Sequence, residues 1–129
     1  MKDQNLKKRK VLIAEDDEDC RVMLSLLLDQ EGWDVREAKD GKEALEKVFK
    51  CQPDLLILDN RMPELTGVEV YQHLQTQGIN LAIIFATAYG YPEELVSTLG
   101  ISYWVTKPYD IPKLLETMEL AYENSVTLM

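Results

Sequence analysis

Leu55-Leu56-Ile57-Leu58-Asp59 decides the fold of this chain: four apolar residues without a break, then an acid. A half-exposed strand alternates apolar and polar positions. An unbroken run this short predicts instead a strand covered on both faces, as the strands of parallel sheets are. Asp59 then stands at the carboxyl end of that strand, and Asn60 to Gly67, with Pro63 inside it, reads as a loop.

Outward from this stretch the same pattern repeats. Val11-Leu12-Ile13-Ala14 is another buried run, and it ends abruptly in Glu15-Asp16-Asp17-Glu18-Asp19. Leu81 to Ala86 is followed by Thr87-Ala88-Tyr89-Gly90-Tyr91-Pro92, and Ser102 to Thr106 is closed by Lys107-Pro108. Trp33 to Ala38 predicts a half-exposed strand. Between the strands lie helical patterns. Val22, Met23, Leu26 and Leu27 form a stripe closed by Gly32, and these Leu and Met stripes read as core. Asp40-Gly41 opens a helix carrying Ala44, Leu45 and Val48, which stops before Pro53. Val68 to Gln77, Glu93 to Leu99 and Ile111 to Glu123 are the remaining helices, the last with Leu114, Leu115, Met118 and Ala121. Five strand–helix units in succession predict an α/β domain, doubly wound around a parallel sheet. Ligands of such folds bind outside the carboxyl ends of the strands.

The 129 residues fit one domain, whose core at this size needs neither a disulfide nor a structural metal. The expected layout is a basic N-terminal tail over 1–9, the domain over 10–124, and a tail or the start of a linker over 125–129. Net charge is −9, but Lys2, Lys7, Lys8, Arg9 and Lys10 sit at one end. From Val11 onward nine basic residues face 22 acidic ones, a balance of −13 that repels phosphates, so no direct nucleic-acid binding by this segment is expected. Cys20 and Cys51 form no metal-binding spacing and read as reduced. The start lacks the apolar core of a signal peptide and no apolar run approaches a membrane span, so the expected location is cytoplasmic.

Reading the strand ends off the sequence collects Glu15 and Asp16, Asp59, Thr87 and Lys107 on one rim, while the second strand contributes nothing comparable. Three converging carboxylates repel one another and raise each other's pKa values unless a cation neutralises them. With no His or Cys expected nearby, oxygen ligation suits a hard ion, Mg²⁺ or alternatively Mn²⁺ or Ca²⁺. A carboxylate at a strand end can attack phosphorus to give an acyl phosphate. Such chemistry needs charge neutralisation and positioning more than proton transfer, and Asp16, Asp59, Lys107 and Thr87 supply those parts.

The stretches VLIAEDDEDCR (11–21), LLILDNRMPELTG (55–67), IIFATAY (83–89) and YWVTKP (103–108) together resemble the four characteristic segments of response-regulator receiver domains of two-component systems. The likeness covers Lys10 to about Glu123. It implies a (βα)5 flavodoxin-like sandwich with strand order 2-1-3-4-5. It also implies a signalling switch rather than an enzyme, though one that catalyses its own phosphorylation and dephosphorylation. Asp59 would be the phosphoacceptor. Asp16, Asp59 and the Arg61 carbonyl would bind Mg²⁺ directly, and Glu15 through water. Thr87 would be the switch hydroxyl, Lys107 the phosphate-pairing lysine, and Pro108 would follow a cis peptide. The implied partners are a histidine kinase or phosphotransfer protein and a downstream effector, engaged through the face of the fourth helix, fifth strand and fifth helix.

This sequence departs from the family pattern in places. Glu15 stands where Asp is commoner, and the switch aromatic is Trp104 rather than Tyr or Phe. The alternative for Trp104 is an edge-strand aromatic packed on the last helix. Ser102 and Tyr103 replace the two aspartates that winged-helix regulators use in dimers, so a monomer or weak dimer is expected. A haloacid-dehalogenase-type phosphatase would need an Asp where Arg61 stands, a flavodoxin-like carrier would need a phosphate loop in place of residues 15–19, and an inactive scaffold would not keep every chemical position filled. His73 reads as a surface or packing residue and Cys20 as core filling. Arg61 and Tyr89 flank the site, where they would tune access of water to an acyl phosphate.

Overall fold

The computed structural model describes residues 8–88 and 99–127. In chain order it contains β1 (Lys10–Ala14), α1 (Glu18–Gln30), β2 (Asp34–Ala38), α2 (Gly41–Cys51), β3 (Leu55–Asp59), α3 (Gly67–Thr76), β4 (Ala82–Thr87), β5 (Trp104–Thr106) and a C-terminal helix, Ile111–Thr127. All strand pairs are parallel and the sheet order is β2-β1-β3-β4-β5, the doubly wound α/β arrangement that the alternation of patterns predicts. The helix expected over Glu93 to Leu99 lies outside the described residues except at Leu99, as do residues 1–7 of the basic tail.

The central strands are dry because helices cover both faces. On one face Leu12, Leu56, Leu58 and Phe85 pack with Ala44 and Val48 of α2 and Val70 and Leu74 of α3. On the other, Val11, Ile13, Leu55, Ile57 and Ile84 meet Leu24 and Leu28 of α1, Trp33, and Leu114, Met118 and Ala121 of the C-terminal helix. Every residue of β3 is buried, including Asp59.

Helix termini follow their local chemistry. Asp17 and Asp40 cap α1 and α2 through their side chains. Thr66 and Glu69 form a reciprocal capping box at α3, which therefore begins one residue before the expected Val68. The C-terminal helix runs to Thr127, so residues 125–127 of the expected tail are helical.

One expectation is corrected. On α1 the stripe of Val22, Met23 and Leu26 is exposed, at 42%, 45% and 63%, and Leu24 and Leu28 are the buried pair. The helix is apolar nearly all the way round, so spacing alone could not select its buried face.

Candidate functional site

The acidic rim begins where β1, held between β2 and β3, leaves the sheet. The Glu15 amide still donates to the Ala38 carbonyl of β2 (3.0 Å), and Asp17 already caps α1, so residues 15–17 fill a tight strand-to-helix turn. Asp59 closes β3 opposite Ala86 of β4, and its Oδ1 accepts from the Arg61 amide at 3.3 Å. Lys107 follows β5, and its amide donates to the Thr87 carbonyl at 2.7 Å.

These ends converge. The carboxylate oxygens of Glu15, Asp16 and Asp59 lie within 4.8 Å of one another. Glu15 is 1% exposed and Asp59 6%, whereas Asp16 is open to solvent. The Lys107 ammonium donates to Glu15 Oε1 at 2.9 Å and stands 3.5 Å from Asp59 Oδ2. Burial, and after it the negative charge of Glu15, pushes the Asp59 carboxyl up to about 7, with Lys107 pulling the other way. Burial works against the Lys107 ammonium too, but its hydrogen bond to Glu15 and the charge of Asp59 hold it above its ordinary value.

One ammonium does not neutralise three carboxylates. A hard divalent cation among them would relieve the repulsion that helps to raise Asp59, and Mg²⁺ takes oxygen donors, commonly one or two carboxylates with water completing the set. The fit is therefore chemical as well as spatial.

The expectation that no Cys lies near the rim is corrected: Cys20 is half-buried, and its Sγ lies 3.5 Å from Glu15 Oε1. Burial and the Glu15 charge push it up to about 11, so it stays a thiol at neutral pH and the donor set remains oxygen.

Thr87 ends β4 one residue beyond the partner of Asp59, and its hydroxyl donates to the Val105 carbonyl of β5 at 3.5 Å. Trp104 is half-buried and packs with the α2–α3 face of the sheet, opposite the face that carries the C-terminal helix, which removes the alternative of packing on that helix. The Lys107–Pro108 peptide is cis. The Arg61 side chain is exposed, at an open groove of about 560 Å³ that Asp16, Asn60, Met62 and Thr66 also line. His73 is exposed on α3. Tyr89 lies outside the described residues.

Three residues of the site escaped the sequence reading. Asn60 accepts the Val68 amide through Oδ1 (3.2 Å) and the Gly67 amide through its carbonyl (3.0 Å), folding the loop back onto β3. A Cβ on Gly67 would lie 2.7 Å from the Asp59 carbonyl oxygen, and one on Gly41 would lie 2.1 Å from that of Leu65. The signal available was the Thr66-Gly67 pair at a helix start, but which backbone it approaches depends on the tertiary fold.

Among known proteins, the family model described as response regulator receiver domain matches residues 11–119. The alkaline phosphatase synthesis transcriptional regulatory protein PhoP of Bacillus subtilis is 36% identical over 103 residues, 78% of this chain but 43% of that protein. Sporulation initiation phosphotransferase F of the same organism is 30% identical over 112 residues, 85% of this chain and 90% of that protein. The chain thus spans less than half of the first relative and nearly all of the second. Among solved structures, the receiver domain of the Francisella response regulator 1452 superposes with a TM-score of 0.83 at 29% identity, covering 92% of this chain and 99% of that one. The Vibrio cholerae chemotaxis protein CheY4 superposes with a TM-score of 0.81 at 32% identity, covering 89% and 99%.

Proposed function

The chain belongs to the response-regulator receiver domain family, and from that premise we propose that Asp59 takes a phosphoryl group from a phosphohistidine donor. The observation that carries this reading is the Asp59 carboxylate, buried at the end of β3 with the Lys107 ammonium 3.5 Å away and two further carboxylates beside it.

An Asp59 carboxylate oxygen attacks phosphorus as the donor's P–N bond breaks. The electron pair leaves on the imidazole nitrogen, which takes up a proton. Lys107 follows the phosphoryl oxygens, exchanging part of its pairing with Glu15 for them, and the Thr87 hydroxyl turns from Val105 to hydrogen-bond another. Asp16, Asp59 and the Arg61 carbonyl would hold Mg²⁺, with Glu15 acting through water. When bound, the ion supplies neutralisation of the charge gathered on the equatorial oxygens. The open groove beside Asp16 and Arg61 gives a donor imidazole room to approach. Arg61, at its mouth, is placed to tune how water later reaches the acyl phosphate, and with Tyr89 it sets the dephosphorylation rate.

The output reading follows from the same atoms. Withdrawal of Thr87 from Val105 removes a side-chain contact to β5, where Trp104 is the switch aromatic, and phosphorylation biases a pre-existing equilibrium on the output face expected of the segment Glu93 to Leu99, β5 and the C-terminal helix. Partners in this reading are a histidine kinase or phosphotransfer protein upstream and an effector downstream, with the domain over 10–124 acting in the cytoplasm as a monomer or weak dimer and not touching nucleic acid itself. Among the described residues no helix is long and apolar enough to cross a membrane.

The deciding experiment is labelling by acetyl phosphate with and without Mg²⁺. A Mg²⁺-dependent, hydroxylamine-labile phosphoprotein is expected from the wild type and none from Asp59→Asn. Equal labelling of the two proteins would overturn the reading.

A further inference from the structure

β2 supplies no carboxylate, hydroxyl or ammonium to the rim, yet it is tied to the site through one side chain of α1. Arg21 donates from Nη1 to the Glu15 backbone carbonyl at 2.8 Å and from Nε to Glu37 Oε1 of β2 at 3.1 Å. Its side chain is largely buried. Glu37 is itself fixed, because the Lys47 ammonium of α2 donates to its backbone carbonyl.

The bonded carbonyl matters because it belongs to the peptide unit joining Glu15 to Asp16. The amide of Glu15 is already held by Ala38. With Arg21 on the carbonyl, residue 15 is gripped at both backbone ends, and the plane that sets the Cα of Asp16 cannot rotate freely. Asp16 is exposed, so burial does not orient it as it does Glu15 and Asp59. Its place within 4.8 Å of the other two carboxylates therefore depends on the backbone that carries it. A guanidinium is well matched to both acceptors, because its planar fork spans a carbonyl and a carboxylate at once and it stays charged at every relevant pH.

The structure assigns to Arg21 the role of a positioning residue for the divalent cation, acting through the Glu15–Asp16 peptide, with Glu37 as the brace that fixes the guanidinium. This rests on the reading that Asp16 and Asp59 hold Mg²⁺, and extends it to two residues that touch neither ion nor phosphate.

The test titrates Mg²⁺ alone into the metal-stripped full chain, following the backbone amide resonances of Asp16 and Asp59, with thermal unfolding recorded in parallel. Arg21→Ala is expected to weaken the Mg²⁺ Kd about tenfold while the protein remains folded. Arg21→Lys keeps one donor for the carbonyl and is expected to lose less. Glu37→Gln is expected to weaken binding about threefold in the wild-type background, since Glu37 is itself half-exposed to solvent, and to add nothing on top of Arg21→Ala. A merely structural arginine would lower the melting temperature and leave the Kd of the folded protein unchanged. Should Arg21→Ala fail to fold, wild-type affinity in both Arg21→Lys and Glu37→Gln would overturn the assignment. If the wild type itself shows no Mg²⁺-dependent shift at Asp16 or Asp59, the ion-binding reading falls and this one with it; wild-type affinity in the variants removes this one alone.

Discussion

Gly67 shows how closely β3 is approached by the helix that follows it. The nearest atoms to a Cβ at that position are backbone, the Asp59 carbonyl oxygen at 2.7 Å and the Asn60 Cα at 2.8 Å, and backbone cannot swing aside as a side chain does. Gly67→Ala is therefore expected to lose about 1–3 kcal/mol of stability by urea unfolding, and Gly41→Ala, with Leu65 carbonyl oxygen at 2.1 Å, at least as much. Wild-type midpoints in both variants would show that the loop yields at no cost. The carboxylates behave differently. Glu15, Asp59 and Lys107 were legible in the sequence because each stands at the carboxyl end of a strand, and strand ends of a parallel sheet share a rim. Gly67, Arg21 and the thiol of Cys20 were not, because their partners are a backbone or a side chain on another element, and spacing along one element carries no information about those approaches.

At the scale of the element, α1 is where local pattern and tertiary structure part. Val22, Met23, Leu24, Leu26, Leu27 and Leu28 offer two helical stripes, and hydrophobicity does not rank them. What selects between them is polar. Arg21, Leu24 and Leu28 fall at i, i+3 and i+7, on one face, so an arginine that must reach the Glu15 carbonyl and Glu37 turns Leu24 and Leu28 onto the sheet and leaves Val22, Met23 and Leu26 in solvent. This orientation has a direct consequence for stability. Leu28→Ala empties a fully buried position in the core cluster that α1 shares with the sheet and the C-terminal helix, and is expected to cost about 2–5 kcal/mol. Leu26→Ala, two residues away with the same side chain, is expected to stay within about 0.5 kcal/mol of wild type. Urea unfolding of the pair checks the orientation, and similar losses in both would mean that the helix is rotated. The C-terminal helix is held differently, by the Arg9 guanidinium, which forms a fork with Glu119 and lies over the rings of Trp33 and Tyr122 at 4.2 and 5.0 Å. Arg9→Ala is expected to cost about 1 kcal/mol by the same measurement.

For the whole molecule, parallel topology gathers acids that the chain keeps far apart, and this ties stability to pH and to divalent cations. Asp59 sits at about 7 in the folded protein against an ordinary 3.8, so its protonated form is the one that folding favours. That contribution is complete below about pH 4 and is lost as pH rises through 7. Glu119 and Asp34 behave oppositely: hydrogen bonds from Arg9 and Arg36 hold them below the ordinary carboxylate range, so their contribution is lost only in acid. Between pH 5 and 8, then, the change belongs to Asp59. In EDTA the wild type is expected to lose about 2 kcal/mol across this interval, after allowance for solvent screening, whereas Asp59→Asn, which has no charge to bury, is expected to stay level. Mg²⁺ bound by the folded state alone is expected to restore stability as its concentration passes the Kd, and to do so more at pH 8, where a larger share of Asp59 is ionised. Urea midpoints at pH 5 and pH 8, with EDTA and with excess Mg²⁺, measure both effects. Parallel profiles for wild type and Asp59→Asn in EDTA would mean that Lys107 alone neutralises the cluster, leaving no electrostatic reason for the site to bind a cation.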